Sequence, residues 1–203
     1  MAYFPMFVEL NNKQVLIVGG GRVALRKVTK LLPYGACITV CAPTVCDEIL
    51  KLSDVKILTQ SFCDELLNGA DMVIAATDDR ELNRRVSALC REQKIPVNTV
   101  DDPELCSFIF PCLVKSGSLS VGISTGGASP SAAQYIKEKV CACIPDGIDD
   151  ILDYLSGIRP AVKELFPSEA QRSGVFKELT GLCLDLGRPL TQAETEEYFE
   201  NVR

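Results

Sequence analysis

The sequence predicts an α/β protein built on a Rossmann-type, doubly wound parallel sheet. Strand-like and helix-like segments alternate through the first half of the chain, which is the pattern of parallel strands joined by helical crossovers. The apolar run at residues 15–18 ends on three consecutive glycines. A buried strand that turns into a helix on glycines is typical of a dinucleotide-binding domain. A small β/α segment and a helical C-terminal tail are expected to follow this sheet.

The elements of the sheet are predicted in chain order from apolar periodicity and turn residues. Strands are expected at residues 6–9, 14–18, 37–42, 55–59 and 72–76, with another beginning at Ile95. Helices are expected from Arg22 to about Leu32, near 45–52, near 63–68 and from about Arg80 to Gln93.

The pattern changes near residue 108. Two strand-like segments, 109–115 and 119–124, flank a Ser-Gly-Ser turn and predict a hairpin. Ser129 and Pro130 then predict a capped helix start, and the chain is expected to be helical after Pro145.

These changes divide the chain into three predicted parts. Residues 1–113 form a dinucleotide-binding domain, residues 114–147 a β/α segment that takes part in dimerisation, and residues 148–203 a helical C-terminal domain. The helical part is amphipathic and too small for a core of its own, so we expect it to pack on the first domain or on a second subunit.

The glycine turn predicts a site for the diphosphate of a dinucleotide. In this G-x-G-x-x-A pattern Gly19 permits a sharp turn, Gly21 leaves room for the pyrophosphate, and Ala24 lets helix and strand pack closely. The free N–H groups at the helix start favour the charge of a diphosphate. The alternative interpretation is a tight strand-to-helix turn that binds no ligand.

The end of the second predicted strand favours NAD over NADP. The acidic residue that usually binds the ribose hydroxyls is missing before Asp47, and no Arg or Lys lies there to bind a 2′-phosphate. Pro43 and Thr44 occupy this place, so backbone groups and the Thr44 hydroxyl would hold the ribose.

Composition argues against several classes of protein. The net charge of −6 and the lack of a long Lys/Arg block argue against a nucleic-acid partner. No apolar run approaches the roughly 20 residues of a transmembrane helix, and the N-terminus does not resemble a signal peptide, so we expect a cytoplasmic protein without membrane association.

Histidine is absent from the sequence, which leaves carboxylates as the candidates for acid–base chemistry. The ten cysteines lack the paired C-x-x-C spacing of zinc sites, so no metal site is predicted. We expect most of these cysteines to be buried as small apolar side chains.

Two further segments follow predicted strands and should meet the ligand edge of the sheet. Thr77 and Asp78 in the first, and Asn98 in the second, are predicted to contact the cofactor. Asp78 and Asp79 could instead only cap the next helix. Asp101 is the candidate catalytic proton acceptor, and an ordinary turn is the alternative.

A second glycine-rich turn precedes the helix that begins at Pro130. Its amides and hydroxyls are suited to a phosphate or carboxylate, whereas the alternative is an ordinary capped loop. The predicted substrate-binding residues here are Thr125, Gly126, Gly127 and Ser129.

Six short segments occur in the order found in one family. They are F-P-M-F at residues 4–7, V-G-G-G-R-V-A at 18–24, A-A-T-D-D at 75–79, N-T-V-D-D at 98–102, S-F-I-F-P at 107–111 and S-T-G-G-A-S-P at 124–130. On these segments, essentially the whole chain resembles the siroheme synthase N-terminal modules. These are precorrin-2 dehydrogenases, some of which also act as sirohydrochlorin ferrochelatases. No methyltransferase domain follows, so the stand-alone form is expected.

The resemblance implies a role for several individual residues. Arg22, Val23, Pro43 and Thr44 match the family's NAD contacts, and Asp101 matches the aspartate implicated in dehydrogenation and metal insertion. Thr125 falls where some members have a serine that can be phosphorylated. The family also implies a homodimer whose second and third segments interlock.

The expected function is NAD-dependent oxidation of precorrin-2 to sirohydrochlorin, with Fe²⁺ insertion left open. A tetrapyrrole with many carboxylates would need a basic lining, for which Arg22, Arg26, Lys137 and Lys139 are candidates. The alternatives are a non-catalytic NAD- or redox-sensing domain, and a chelatase with a vestigial dinucleotide site.

Overall fold

Five parallel strands form the sheet that the alternating pattern predicts. They are β1 (Gln14–Val18), β2 (Cys37–Cys41), β3 (Val55–Leu58), β4 (Met72–Ala75) and β5 (Val97–Thr99), in the spatial order β3-β2-β1-β4-β5. The computed structural model describes residues 3–202, which fall into two compact units, residues 3–110 and 111–202. The sheet lies in the first unit, and the predicted Rossmann-type fold is confirmed.

The order of the strands places a topological switch at the centre of the sheet. The chain runs outward from β1 to β3 and then returns to pair β4 with the other side of β1. All four residues of β4 and four of the five residues of β1 are buried. Strands covered on both faces need apolar residues throughout, which explains their continuous apolar runs.

Helices cover the two faces of this sheet. The helix α1 (Arg22–Leu31) buries Ala24, Val28 and Leu31 in one core cluster. The short α2 (Asp47–Leu50) adds Ile49 to that cluster. On the opposite face α3 (Arg80–Glu92) buries Val86 and Cys90.

Three predictions for this unit need correction. Residues 6–9 are not a strand, because β1 already pairs with β2 on one side and β4 on the other and leaves no free edge for them. The predicted helix near 63–68 is a single 3₁₀ turn at Asp64–Leu67, and the one near 45–52 shrinks to α2. Periodicity identified these segments but could not supply the pairing or length that the packing allows.

The second unit begins with an antiparallel hairpin of β6 (Cys112–Ser116) and β7 (Leu119–Ile123). The helix α4 (Pro130–Cys143) follows, and Ser129 caps it by accepting a hydrogen bond from the Ala132 amide at 3.1 Å. Four more helices complete the unit: α5 (Ile148–Gly157), α6 (Arg159–Leu165), α7 (Glu169–Leu186) and α8 (Gln192–Val202). The hairpin and the cap were both predicted.

The C-terminal helices bury an apolar cluster among themselves. Its members include Ile151, Val162, Phe166, Leu179 and Cys183. The expectation that this part has no core of its own is therefore wrong. The three-part division of the chain remains a prediction.

The cysteines are less buried than expected. Three are buried, three are exposed and four are intermediate. Within the described residues no group of three or more Cys, Asp or Glu side chains is placed to hold a metal ion. None of the described helices is long and apolar enough to cross a membrane.

The hydroxyl of Thr99 provides a test of the packing at the end of β5. Thr99 is 3% exposed, and its Oγ1 has no hydrogen-bond partner within residues 3–202. Because an unsatisfied buried hydroxyl costs about 1–3 kcal/mol, we expect Thr99→Val to raise the free energy of unfolding by about 1 kcal/mol. Equilibrium urea denaturation measures this change.

Ser87 supplies the matched control. It is fully buried, and its Oγ donates a hydrogen bond to the Leu105 carbonyl at 2.7 Å. Ser87→Ala should lower the free energy of unfolding by about 1 kcal/mol, because the carbonyl loses its partner. A Thr99→Val variant that is destabilised as much as Ser87→Ala would contradict this account.

Candidate functional site

The turn after β1 packs closely against the ends of the two neighbouring strands. Gly19 has φ +123°, and a Cβ there would lie 2.2 Å from the Ala76 carbonyl oxygen. A Cβ on Gly20 would lie 2.3 Å from the Thr44 carbonyl oxygen. These two glycines are therefore required by the fold itself, whatever the turn binds.

Gly21 differs from its two neighbours. It has an extended backbone at φ −88°, ψ −169°, and a Cβ there would meet no atom of the described residues within 4 Å. It is also the N-cap of α1, and no side chain in the described part of the chain caps this helix start. The first-turn amides thus have no helical carbonyl to bond, and the space beside them is open.

This open turn fits the diphosphate of a dinucleotide. The first turn of α1 carries no acidic residue that would repel an anion. Unpaired amides and the helix dipole favour negative charge at this end of a helix. The space at Gly21 lets a ligand approach the backbone, as predicted from the sequence.

A small cavity of about 70 Å³ lies beside the turn, at the carboxyl ends of the strands. It brings together three of the predicted cofactor residues: Gly19, Pro43 and Thr77. Its other lining residues are Val18, Cys41, Ala42, Ser61, Phe62 and Leu82. Of the other predicted contacts, Thr44 follows Pro43 in the chain, and Arg22 and Val23 open α1. The Asn98 side chain is 6% exposed in β5, and its contact with the cofactor stays a prediction.

The loop after β4 is fixed by a residue that sequence reasoning missed. Asn83 is 5% exposed, accepts a hydrogen bond from Thr77 Oγ1 at 2.8 Å and donates one to the Thr77 carbonyl at 2.9 Å. The Thr77 hydroxyl is therefore engaged within the fold. Asn83 shares helical spacing with Val86 and Cys90, so its place on the buried face of α3 was detectable.

The two aspartates after Thr77 behave differently. Asp79 caps α3, accepting hydrogen bonds from the Glu81 amide at 2.9 Å and the Leu82 amide at 3.1 Å. The capping interpretation is thus confirmed for Asp79. Asp78 is exposed beside it, and its contact with the cofactor stays a prediction.

Asp101 is displayed on a strained turn two residues after β5. It is exposed and has φ +59°, in the left-handed region that Asp and Asn tolerate better than most residues. The segment that carries it is pinned to β5: Cys106 Sγ accepts a hydrogen bond from the Thr99 amide at 3.1 Å, and Asn98 Nδ2 donates to the Phe108 carbonyl at 3.0 Å. Such anchoring holds the carboxylate on a defined backbone.

Lys27 is a second residue that the sequence analysis missed. Its Nζ donates to Asn98 Oδ1 at 3.2 Å and lies 3.9 Å from the centre of the Phe110 ring. Burial and then the nearby Lys30 charge lower the pKa of Lys27 from 10.5 to about 8. Lys27 falls at helical spacing with the buried Ala24, Val28 and Leu31, so its inward position was also detectable.

The second glycine-rich loop belongs to the unit formed by residues 111–202. Thr125 Oγ1 donates to the Ser129 carbonyl at 3.1 Å and accepts from the Ser129 amide at 3.2 Å. Gly126 and Gly127 have φ +63° and +88°, and a Cβ on either would meet no described atom within 4 Å. The hydroxyls thus shape the loop and the glycine backbone remains open, while substrate binding here stays a prediction.

Comparison with known proteins agrees with this geometry. A family model for NAD(P)-binding domains matches residues 6–112, more than half of the chain. Siroheme synthase from Thioalkalivibrio sulfidiphilus is 41% identical over 182 residues, covering 88% of this chain and 37% of that protein. Siroheme synthase from Ectopseudomonas mendocina is 41% identical over 180 residues, covering 88% and 39%. The chain therefore spans less than two fifths of the length of these relatives.

A solved structure, "SirC, precorrin-2 dehydrogenase", matches over 98% of both chains, with a TM-score of 0.69 and 26% identity. The fold and the glycine turn define the class of protein as an NAD(P)-binding α/β domain. Within that class, the chain belongs to the family of siroheme synthase N-terminal modules, as its six segments predicted.

Gly21 and Gly19 should respond differently to substitution. Gly21→Asp should keep the thermal stability of the protein, because Asp is a favourable N-cap residue. The added carboxylate should nevertheless weaken dinucleotide binding by at least about 30-fold, or about 2 kcal/mol, by repelling the diphosphate. Calorimetric titration with NAD and a thermal melt measure the two effects.

Gly19→Ala is the matched control for the fold. Its Cβ would clash with the Ala76 carbonyl and strain the backbone, so we expect a loss of about 3 kcal/mol or more in the free energy of unfolding. If Gly21→Asp bound NAD as tightly as the wild type, the diphosphate site would be misassigned.

Proposed function

We propose that this protein is an NAD-dependent precorrin-2 dehydrogenase of siroheme biosynthesis. One observation carries the proposal: an open dinucleotide turn and an exposed aspartate on an anchored turn lie at the same edge of one sheet. This arrangement occurs in a chain that matches SirC, a precorrin-2 dehydrogenase, over 98% of its length. Ligands of open α/β sheets bind at this edge.

The choice of NAD rests on the end of β2. The residues that follow it, Ala42, Pro43 and Thr44, offer neither the cation that a 2′-phosphate favours nor the usual ribose-binding acid. Pro43 and Thr44 are both exposed and can present backbone groups and a hydroxyl to the ribose. These features support NAD over NADP.

Different residues of the chain bind the cofactor and orient the substrate. The amides at Gly21, Arg22 and Val23 bind the diphosphate, and the loop around Thr77 shapes the cavity wall beside it. NAD, when bound, supplies the hydride acceptor. Orientation of the substrate ring is the protein's main contribution to such a transfer.

Asp101 accepts the proton that the substrate releases during the oxidation. Oxidation of precorrin-2 to sirohydrochlorin removes one hydride equivalent and one proton, so a base must take up the proton. The Asp101 carboxylate is exposed at the ligand edge of the sheet, and the chain contains no histidine that could serve instead. Its anchored turn keeps this carboxylate in a fixed position.

The proposal extends to the partners of the protein. The substrate is a tetrapyrrole, the assembly is a homodimer and the location is the cytoplasm. Insertion of Fe²⁺ as a second substrate remains a prediction of the family resemblance.

A direct assay tests the proposed function. The purified full chain is incubated with precorrin-2 and either NAD or NADP, while NADH or NADPH formation and the tetrapyrrole spectrum are followed. We expect turnover with NAD and much slower turnover with NADP. Binding of NAD without any turnover would favour the sensing-domain alternative and overturn the proposal.

The role of Asp101 can be tested without changing its backbone. Asn also tolerates the left-handed region, so Asp101→Asn should preserve the turn, whereas Ala would add strain. A positioned base contributes about 10²–10⁴-fold, so we expect the dehydrogenation rate to fall by about 10²-fold or more. NAD affinity should not change.

Steady-state kinetics and calorimetry on Asp101→Asn supply these two measurements. Asp102→Asn serves as the control, because Asp102 lies one residue away and is not assigned to the chemistry. Equal dehydrogenation rates for wild type and Asp101→Asn would show that Asp101 is only a turn residue and takes no part in catalysis.

A further inference from the structure

The side chain of Lys27 bridges two elements of the candidate site. It extends from α1 to Asn98 in β5, with Nζ 3.2 Å from Asn98 Oδ1 and 3.9 Å from the centre of the Phe110 ring. Within residues 3–202 it forms no ion pair. The ammonium group is thus held by an amide and an aromatic ring, and not by a carboxylate.

The two bridged elements carry different parts of the site. Gly21, where the diphosphate is expected, is the N-cap of α1, and β5 ends two residues before Asp101. Asn98 is 6% exposed, and its Nδ2 donates to the Phe108 carbonyl at 3.0 Å. Lys27 therefore contacts the residue that ties the C-terminal end of the segment displaying Asp101 to β5.

We infer that Lys27 is a positioning residue of the dehydrogenase site. By holding Asn98 from α1, it keeps the segment that carries Asp101 in register with the dinucleotide turn. This inference rests on the proposed function, because the role of Asp101 in dehydrogenation gives the register its catalytic consequence.

The surroundings of Lys27 disfavour its protonated form. Burial first, then Lys30 and Arg26 on the same helix, lower its pKa from 10.5 to about 8, while Cys106 and Asp101 from the segment after β5 oppose the change. Between pH 8 and 10.5 the unfolded chain binds the proton more tightly, so stability rises with pH across that range. At neutral pH the folded protein therefore binds this proton less tightly than the unfolded chain does.

We expect Lys27→Met to lower kcat about tenfold or more while KM for NAD stays unchanged, because the variant no longer holds Asn98 but leaves the dinucleotide turn intact. Lys27→Arg keeps the cation at every accessible pH and should retain most of the activity.

The pH dependence separates these variants further. In the wild type the ammonium is lost as the pH rises through about 8, so kcat should decline above that value. Lys27→Arg should not show this decline, because its guanidinium stays charged. Lys30→Met, an exposed position on the same helix, should keep the activity at pH 7 and shift the decline to higher pH.

NMR of the Asn98 side-chain amide provides a readout that does not depend on turnover. In the wild type its resonances should titrate with a midpoint near pH 8, and in Lys27→Met they should not titrate there. The inference would be overturned if the Asn98 amide resonances of the wild type did not shift with pH, or if Lys27→Met had a normal kcat. Absence of all turnover with precorrin-2 would overturn the proposed function, while the amide titration would still test the link between Lys27 and Asn98.

Discussion

The close packing of the Gly19–Gly20 backbone against the carbonyls of Ala76 and Thr44 is the constraint on which the site depends. It brings the end of β1 directly between the ends of β2 and β4, at the switch point of the sheet. With no space for a Cβ, the chain can only turn outward at Gly21, where α1 starts with unpaired amides. The open ligand site at Gly21 therefore results from the close packing of the strand ends at Gly19 and Gly20.

From that turn the rest of the site follows through α1. The helix packs its apolar stripe on the sheet and sends Lys27 across to β5, whose following segment is anchored through Asn98 and Cys106. Two of these anchors join a side chain to a main-chain group, so the backbone that carries the exposed Asp101 is itself held in place. Such a platform can present a carboxylate to solvent without losing its geometry.

Features encoded within a few residues were predictable from the sequence. The strands, the glycine turn and the caps at Asp79 and Ser129 each depend on local pattern. Features that depend on residues distant in the sequence were not predictable in this way. Residues 6–9 have a strand-like sequence, but the adjacent strand β1 is already paired on both sides, and the bridge from Lys27 to Asn98 joins positions 71 residues apart. Lys27 and Asn83 share helical spacing with buried apolar residues, so their inward positions were detectable although the sequence analysis missed them, whereas their partners depend on the tertiary fold.

The charge distribution resolves an apparent conflict between this acidic protein and its proposed anionic ligands. The chain carries a net charge of −6, yet the exposed cations Arg22 and Arg26 lie in the first turns of α1, and this helix contains no acidic residue. Charges are screened over about 8 Å at physiological ionic strength, so a ligand at the sheet edge responds mainly to the nearest helix and little to distant surface acids. The dipole of α1 adds positive potential at the same end. Local charge on α1, and not the net charge of the chain, therefore decides whether a diphosphate or a polycarboxylate is attracted to this edge.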